Sequence, residues 1–270
     1  MTGQLDVVGV GPAGPEWMTP ETTEVLAGAS DLIGYGPYLE RVPGRGQRRH
    51  ASDNRQELDR AAHALDLAAQ GRRVAVVSGG DPGIYAMAAA VFEAVERMDR
   101  PEWREVDVRV HPGVSALQAV AARIGAPLGN DFCVVSLSDN LKPWRVIEAR
   151  LRLAAEGDFA MALYNPVSRA RPWQLARALE VIAGVASPAT PVVVGKAVGR
   201  PGQEEVRVHR LDSVEVGDAD MRTLVIVGAS SSRVLERPGH PVRVYTPRSV
   251  ASDGAGEACP SSHASASSRE

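Results

Sequence analysis

The sequence predicts an α/β protein of two domains, and three observations carry that expectation. Short apolar runs alternate along the chain with longer amphipathic stretches, the pattern of strands separated by helices. Hydrophobic residues make up 44% and charged residues 23%, an ordinary globular composition that excludes a wholly disordered or fibrous chain. At 270 residues the chain is too long for one domain of about 150 residues and too short for three.

Each element has a local reason. Leu5–Val10 is an apolar run that empties into glycines, hence a strand with a turn behind it. Thr19 precedes Pro20 as an N-cap before a first-position proline, which starts a helix over Pro20–Ala29, and Asp31 opens the next strand. Asn54–Gln70 and Ile84–Arg97 carry helical periodicity on either side of the strand Val74–Ser78. Val106–His111 is a strand ended by Pro112-Gly113, and Ser115 caps a helix running to Ile124. Strands at Phe132–Ser136, Ala160–Tyr164, Pro191–Gly195 and Thr223–Val227 then alternate with helices at Pro143–Ala155 and Trp173–Ile182. This alternation argues for largely parallel sheets.

The turn at Pro112-Gly113 is the predicted boundary, giving an N-terminal domain over 1–112 and a C-terminal domain over 113–248. From Ser249 to Glu270 serine, alanine and glycine dominate, and the composition predicts a disordered tail. The net charge of -3 lacks the basic balance of a general nucleic-acid binder. Cys133 and Cys259 are too far apart in character and position to suggest a disulfide framework, and no histidine spacing suggests a metal. The first residues lack a basic leader region, and no apolar run approaches the ~20 residues of a membrane span, so a soluble cytoplasmic protein without nucleic-acid or membrane partners is expected.

Gly9-Val10-Gly11-Pro12-Ala13-Gly14 satisfies G-x-G-x-x-G, but Pro12 and Pro15 interrupt the loop and the helix waits until Pro20. Asp31 opens the next strand where a dinucleotide site needs an acid closing it, so a nicotinamide cofactor is disfavoured. More informative is Ser78-Gly79-Gly80-Asp81-Pro82-Gly83-Ile84-Tyr85, where a buried strand empties into consecutive glycines and an acid. The bland reading is a tight turn with Asp81 as helix N-cap; the functional one is a ligand approached closely by main chain. Three further turns share this form, at His111–Ala116, Tyr164-Asn165-Pro166 and Gly195-Lys196-Ala197, and four such turns can line one cleft. His111 reads as a turn or core histidine rather than a base, and nothing suggests nucleophilic catalysis.

Five segments resemble the tetrapyrrole (precorrin) methyltransferases: LDVVGVGPAGPEWMTPE from Leu5, VAVVSGGDPGIYAMA from Val74, VHPGVSALQAVAARIGAPLGNDF from Val110, MALYNPVSRARPWQL from Met161 and MRTLVIVGAS from Met221. IGYGPYLE from Ile33, with SLSDNLKPW from Ser136 and YNPVSR from Tyr164, is similar to the branch that methylates precorrin-3B at C-17 and contracts the ring to precorrin-4 in cobalamin biosynthesis. The resemblance implies the tetrapyrrole methylase fold, two α/β domains with S-adenosyl-L-methionine in the cleft between them, in a homodimer. It implies cofactor contacts at Gly79, Gly80, Asp81, Ile84, Tyr85, Ser115, Ala116, Tyr164, Asn165, Ala197 and Thr223. Gly11 and Pro12 fall on the side that the family gives to the tetrapyrrole.

A tetrapyrrole rimmed with carboxylates needs cationic forks, and Lys142 and Arg169 are the candidates, with Arg145 and Arg171 read as surface charges. Lys196 is a weak candidate for the acid or base of ring contraction. The open alternatives are a sibling enzyme acting on another precorrin or on a cobalt-containing intermediate, a nicotinamide-dependent reductase, and a non-catalytic tetrapyrrole-binding module.

Overall fold

A computed structural model describes residues 3–168, 171–215, 217 and 219–249. Of the predicted tail, 249–270, residues 250–270 lie outside the described residues. The first half contains β1 (Gln4–Gly9), α1 (Pro20–Gly28), β2 (Asp31–Tyr35), α2 (Gly36–Leu39), β3 (Arg48–Ser52), α3 (Glu57–Ala69), β4 (Arg73–Ser78), α4 (Met87–Met98) and β5 (Asp107–His111). Its five strands form one sheet in the order β3-β2-β4-β1-β5, and every pair is parallel.

The central strands are apolar on both faces because both faces are covered. Leu5, Val7, Val74 and Val76 pack with Leu65 of α3, Val91 of α4 and Trp103. The alternate residues Val8, Ala75 and Val77 pack with Leu26 of α1 and Leu39 of α2. Thr19 caps α1 as predicted, its side chain accepting from Thr22 N at 3.1 Å ahead of Pro20. Helix α4 begins at Met87, three residues later than the periodicity places it. Asp81 bonds to the amide two residues on, and Tyr85 has φ +53°, a conformation that a right-handed helix excludes.

The second half contains α5 (Ala116–Ile124), β6 (Gly125–Ala126), β7 (Phe132–Ser136), α6 (Trp144–Glu156), β8 (Ala160–Tyr164), α7 (Gln174–Ala183), β9 (Pro191–Lys196), β10 (Glu205–Arg210), β11 (Thr223–Val227), β12 (Arg233–Leu235) and β13 (Arg243–Tyr245). The larger sheet runs β10-β9-β11-β8-β7. Here parallel pairing holds only for β7 with β8, joined through α6; the other three pairs are antiparallel. A short loop without a helix joins β9 to β10, and such a connection returns the chain antiparallel. One face packs on α6 and α7 through Ile147, Leu151, Leu175 and Ile182. The other packs on α5 and also receives Trp17 and Ile84 from the first half. A three-stranded sheet, β12-β13-β6, ties residues 233–245 to the end of α5. Among the described residues no helix is long and apolar enough to cross a membrane.

His111 closes β5 and is buried, in keeping with a core histidine. Its Nε2 lies 2.9 Å from Asp6 Oδ1 and its Nδ1 2.8 Å from Glu21 Oε1, which joins β5 to β1 and α1. Burial opposes the imidazolium, but hydrogen bonds to Asp6 and Glu21, with their charges, outweigh it and raise the His111 pKa. A raised histidine pKa contributes stability that is complete below the ordinary value of about 6.5 and is lost as pH rises through the folded value. Thermal melts of wild type and His111→Asn should therefore differ most near pH ~6 and least near pH ~9. A difference that grows with pH would mean that the neutral imidazole is the stabilising form.

Candidate functional site

The site begins where three adjacent strands end. Gly9 at the end of β1, Gly80 beyond β4 and Gly113 beyond β5 meet main chain to main chain. A Cβ built on Gly9 would lie 2.6 Å from Gly80 O and 2.7 Å from Gly113 Cα, and one on Gly113 would lie 2.4 Å from Gly80 O. Gly80 N donates to Gly11 O at 2.8 Å and Gly11 N to Gly80 O at 3.3 Å, a two-residue antiparallel bridge between the turns. Gly11 and Gly80 both have positive φ, +73° and +67°, which glycine adopts without steric penalty. The Gly9–Gly14 loop thus opens no helix: a 3-10 turn over Pro15–Trp17 follows it and α1 waits until Pro20. This is the arrangement that disfavours a dinucleotide.

Asp81 fastens this junction. Its Oδ1 accepts from Gly83 N at 2.8 Å and its Oδ2 from Gly113 N at 3.1 Å, so one carboxylate holds two turns. It is not the N-cap of α4, whose cap position is Ala86. Across from Gly80, Ser115 caps α5 in a reciprocal box with Gln118, and Ala116 is the first residue of the helix. A Cβ on Gly80 would meet Ser115 Cα at 3.9 Å, an ordinary contact, so the turn and the helix start lie side by side without a clash.

The second half closes on the junction through Tyr164, which meets Tyr85 of the first. The rings of Tyr85 and Tyr164 lie edge to face at 5.6 Å. Tyr85 donates to Val134 O at 2.8 Å, and Tyr164 Oη accepts from Leu117 N at 3.1 Å. Burial pushes the Tyr164 phenol above its ordinary pKa, so near neutral pH it is a hydrogen-bonding group rather than a base. Asn165 donates to Ser136 Oγ at 2.9 Å. Ile84 packs into the core that joins the halves. Ala197 and Thr223 adjoin Lys196 and are buried, Thr223 pairing with Lys196 in the sheet. Three predicted contacts, Tyr85, Asn165 and Ala197, have φ of +53°, +53° and +50°. Left-handed backbone in residues other than glycine concentrates where a turn is held by its surroundings, and functional sites are such places.

The cationic candidates divide. Lys142 is half-buried with Nζ 5.7 Å from the Tyr85 ring centroid, and burial first, then the charge of Arg150, lowers its pKa. Arg169 lies outside the described residues. Arg145 is exposed, whereas Arg171 binds Asp139 and Asn140 and so holds the loop that carries Lys142. Lys196 pairs with Asp220 at 3.7 Å. Pro12 accepts from Arg41 Nη1 at 3.3 Å. Arg41 and Tyr38 escaped the sequence reading of the site. The Tyr38 ring is so close to Gly79 that a Cβ there would sit 2.6 Å away, a contact between residues 41 positions apart that no local pattern announces.

A family model described as Tetrapyrrole (Corrin/Porphyrin) Methylases matches residues 4–215. The precorrin-3B C(17)-methyltransferase of a Sinorhizobium species is 56% identical over 249 residues, covering 92% of this chain and 97% of that one. The crystal structure of the methyltransferase CobJ superposes with a TM-score of 0.85 at 49% identity, covering 91% of this chain and 100% of that one. The uroporphyrin-III C-methyl transferase of Thermus thermophilus, complexed with S-adenyl homocysteine, has the same fold at 20% identity with a TM-score of 0.63, covering 84% of this chain and 97% of that one.

The glycine junction makes a sharp prediction. Gly113→Ala should cost about 1–3 kcal/mol of stability, because its methyl collides with main chain that cannot swing aside. Gly28→Ala, where a Cβ meets nothing within 4 Å, should be neutral or slightly stabilising. Urea midpoints measure both, and equal midpoints for the two variants would mean that the junction can yield.

Proposed function

The chain belongs to the tetrapyrrole (corrin/porphyrin) methylases, and from that premise we propose that it is an S-adenosyl-L-methionine-dependent methyltransferase that methylates precorrin-3B at C-17 with ring contraction to precorrin-4 in cobalamin biosynthesis. The observation that carries this reading is the junction of Gly80, Asp81 and Gly113 with Ser115, beside Tyr85 and Tyr164. Residues 1–112 and 113–248 are read as the two domains that wall the cleft, which suits a first five-stranded sheet ending at His111 and a second five-stranded sheet starting at Phe132. A cytoplasmic homodimer is the state this reading adopts.

The residues fit the cofactor on the structure's own terms. Without side chains, Gly79 and Gly80 leave main chain accessible beside the start of α5, which suits a ligand with several polar groups to be met by amides and carbonyls. Asp81, Tyr85, Tyr164, Asn165, Ala197 and Thr223 would hold it, with Ile84 behind and Ala116 at the helix start. The bound cofactor supplies a methyl group already activated on a sulfonium, so transfer to carbon calls for in-line positioning and exclusion of water. The chain supplies both. The glycine junction fixes the turns relative to each other, and the core shared by Trp17, Ile84, Leu117 and Leu224 seals the floor. Tyr164 remains neutral and fixes the start of α5 through Leu117 N. Lys142 faces the Tyr85 ring as a substrate contact, and Lys196, paired with Asp220, is the candidate for the acid or base of ring contraction.

Asp81→Ala should weaken S-adenosylhomocysteine binding about ten-fold or more by calorimetry, since two backbone amides lose their acceptor and the turns drift apart. Unchanged affinity would sink the cofactor assignment. Incubation of the protein with precorrin-3B and methyl-labelled S-adenosylmethionine should give a labelled, ring-contracted product by mass and absorbance. Label without contraction points to a sibling reaction, and no cofactor binding at all to a non-catalytic module.

A further inference from the structure

Arg41 stands at the meeting of two turns already described. Its Nη1 donates to Pro12 O in the loop behind β1, and its guanidinium lies 4.9 Å from the centroid of the Tyr38 ring, whose atoms press on Gly79 behind β4. Both turns issue from carboxyl ends of strands, where open α/β sheets take ligands. Arg200 belongs to the second half, on a loop that packs against the residue next to Pro12. It follows β9 in a loop seated on the first: a Cβ at Gly199 would lie 2.7 Å from the Trp17 ring and 2.9 Å from Ala13.

The loop that carries Arg200 is tightly built. Arg200 N donates to Ala197 O, Glu204 accepts from Gly199 N at 2.7 Å, and Arg123 binds Glu204 while covering the Trp17 ring. Glu204, the one acid of this loop, is thereby engaged by Arg123 and Gly199. Among the described residues no carboxylate lies within 4 Å of Arg41 or Arg200.

We propose that Arg41 and Arg200 form a two-guanidinium clamp for a carboxylate of the substrate, on the Gly11-Pro12 side of the cleft. The clamp rests on the reading of the substrate as a polycarboxylate tetrapyrrole. Two planar forks brought to one site would match a carboxylate's paired oxygens, and a partly desolvated guanidinium with only a carbonyl and a ring face for company has strong reason to bind an anion. Arg41 bears the mark of this situation: burial first, and the charge of Arg200 second, hold its pKa below the ordinary guanidinium value, with Tyr38 opposing. An anion between the two charges removes that penalty. The other concentration of arginines lacks these features. Arg45, Arg48, Arg72 and Arg73 surround an open hollow at the amino ends of β2, β3 and β4, where Arg72 is already bound to Asp31 and the remaining three are exposed to screening solvent.

Steady-state kinetics of the full chain with precorrin-3B and S-adenosylmethionine tests the clamp. Arg41→Gln and Arg200→Gln should each raise KM for the tetrapyrrole about ten-fold or more, the loss of a charge-assisted hydrogen bond, with KM for S-adenosylmethionine within about two-fold. Arg41→Lys should recover part of the loss, and Arg45→Gln should behave as wild type. Tetrapyrrole KM values within about two-fold of wild type in both glutamine variants would overturn the clamp. Binding of uroporphyrin III, an octacarboxylate, followed by tryptophan fluorescence, separates the clamp from the functional reading. If wild type turns over no precorrin-3B, the reaction assignment falls; weaker uroporphyrin binding by both variants still upholds the carboxylate clamp, and equal binding discards it. Preserved S-adenosylhomocysteine affinity in each variant excludes misfolding as the cause.

Discussion

The structure depends on a contact in which no side chain takes part. Gly9, Gly80 and Gly113 end three neighbouring strands and touch backbone to backbone, with the Asp81 carboxylate accepting an amide from each of two turns. Any larger residue at Gly9 or Gly113 would push the turns apart by more than packing can absorb. Because the turns touch, the chain behind β5 leaves in a fixed direction, and Ser115 arrives opposite Gly80 to start α5. The helix then serves two masters: its first turn faces the site, and its apolar face covers the second sheet.

The two sheets solve their burial problem differently. The first is wholly parallel, with helices on both faces and the site at its carboxyl ends. The second mixes directions and gives one face to α6 and α7 and the other to α5 and to residues of the first half. Its contribution to the site is therefore made by a few strand ends, the exits at Tyr164 and Ala197 and the start of β11 at Thr223, rather than by a second row of glycine turns. Two of the residues after these exits, Asn165 and Ala197, take left-handed backbone, as Tyr85 does on the facing turn. Conformations of that kind cost about 1–2 kcal/mol each, and the surrounding hydrogen bonds and packing hold them.

Much of the fold was legible because its central strands are apolar on both faces and bounded by glycine or proline. Leu5–Val10, Val74–Ser78 and Thr223–Val227 could be read for that reason. Strand β3 could not: Arg48–Ser52 is a polar edge strand whose residues are largely exposed, so it carries no apolar signal. The alternating Glu205–Arg210 is another edge strand, and β6, β12 and β13 are too short to show a period. The site was legible where chemistry is local, as in Gly79-Gly80-Asp81 or the Ser115 cap. It was illegible where the contact is distant in sequence, as between Tyr38 and Gly79, or between the arginines of two separate loops. Asp81 illustrates the middle ground: the sequence suggests a helix cap, and the fold uses the same acceptor oxygens to join two turns instead.

The small sheet at the end of the described chain bears on when the site comes into being. All strands of the first sheet are present by residue 111, so that sheet can pair fully while the remainder is still being synthesised. The end of α5 is different. Its neighbour β6 waits for β13, and Thr246 Oγ1 reaches back 119 residues to Pro127 O. Contacts of such separation close late because the loop entropy must be met first. The helix that begins at Ser115 is thus fastened at its far end only after nearly the whole chain has emerged. One wall of the cleft is finished early and the other last, and a nascent chain interrupted before β13 carries the glycine junction without the helix properly seated against it.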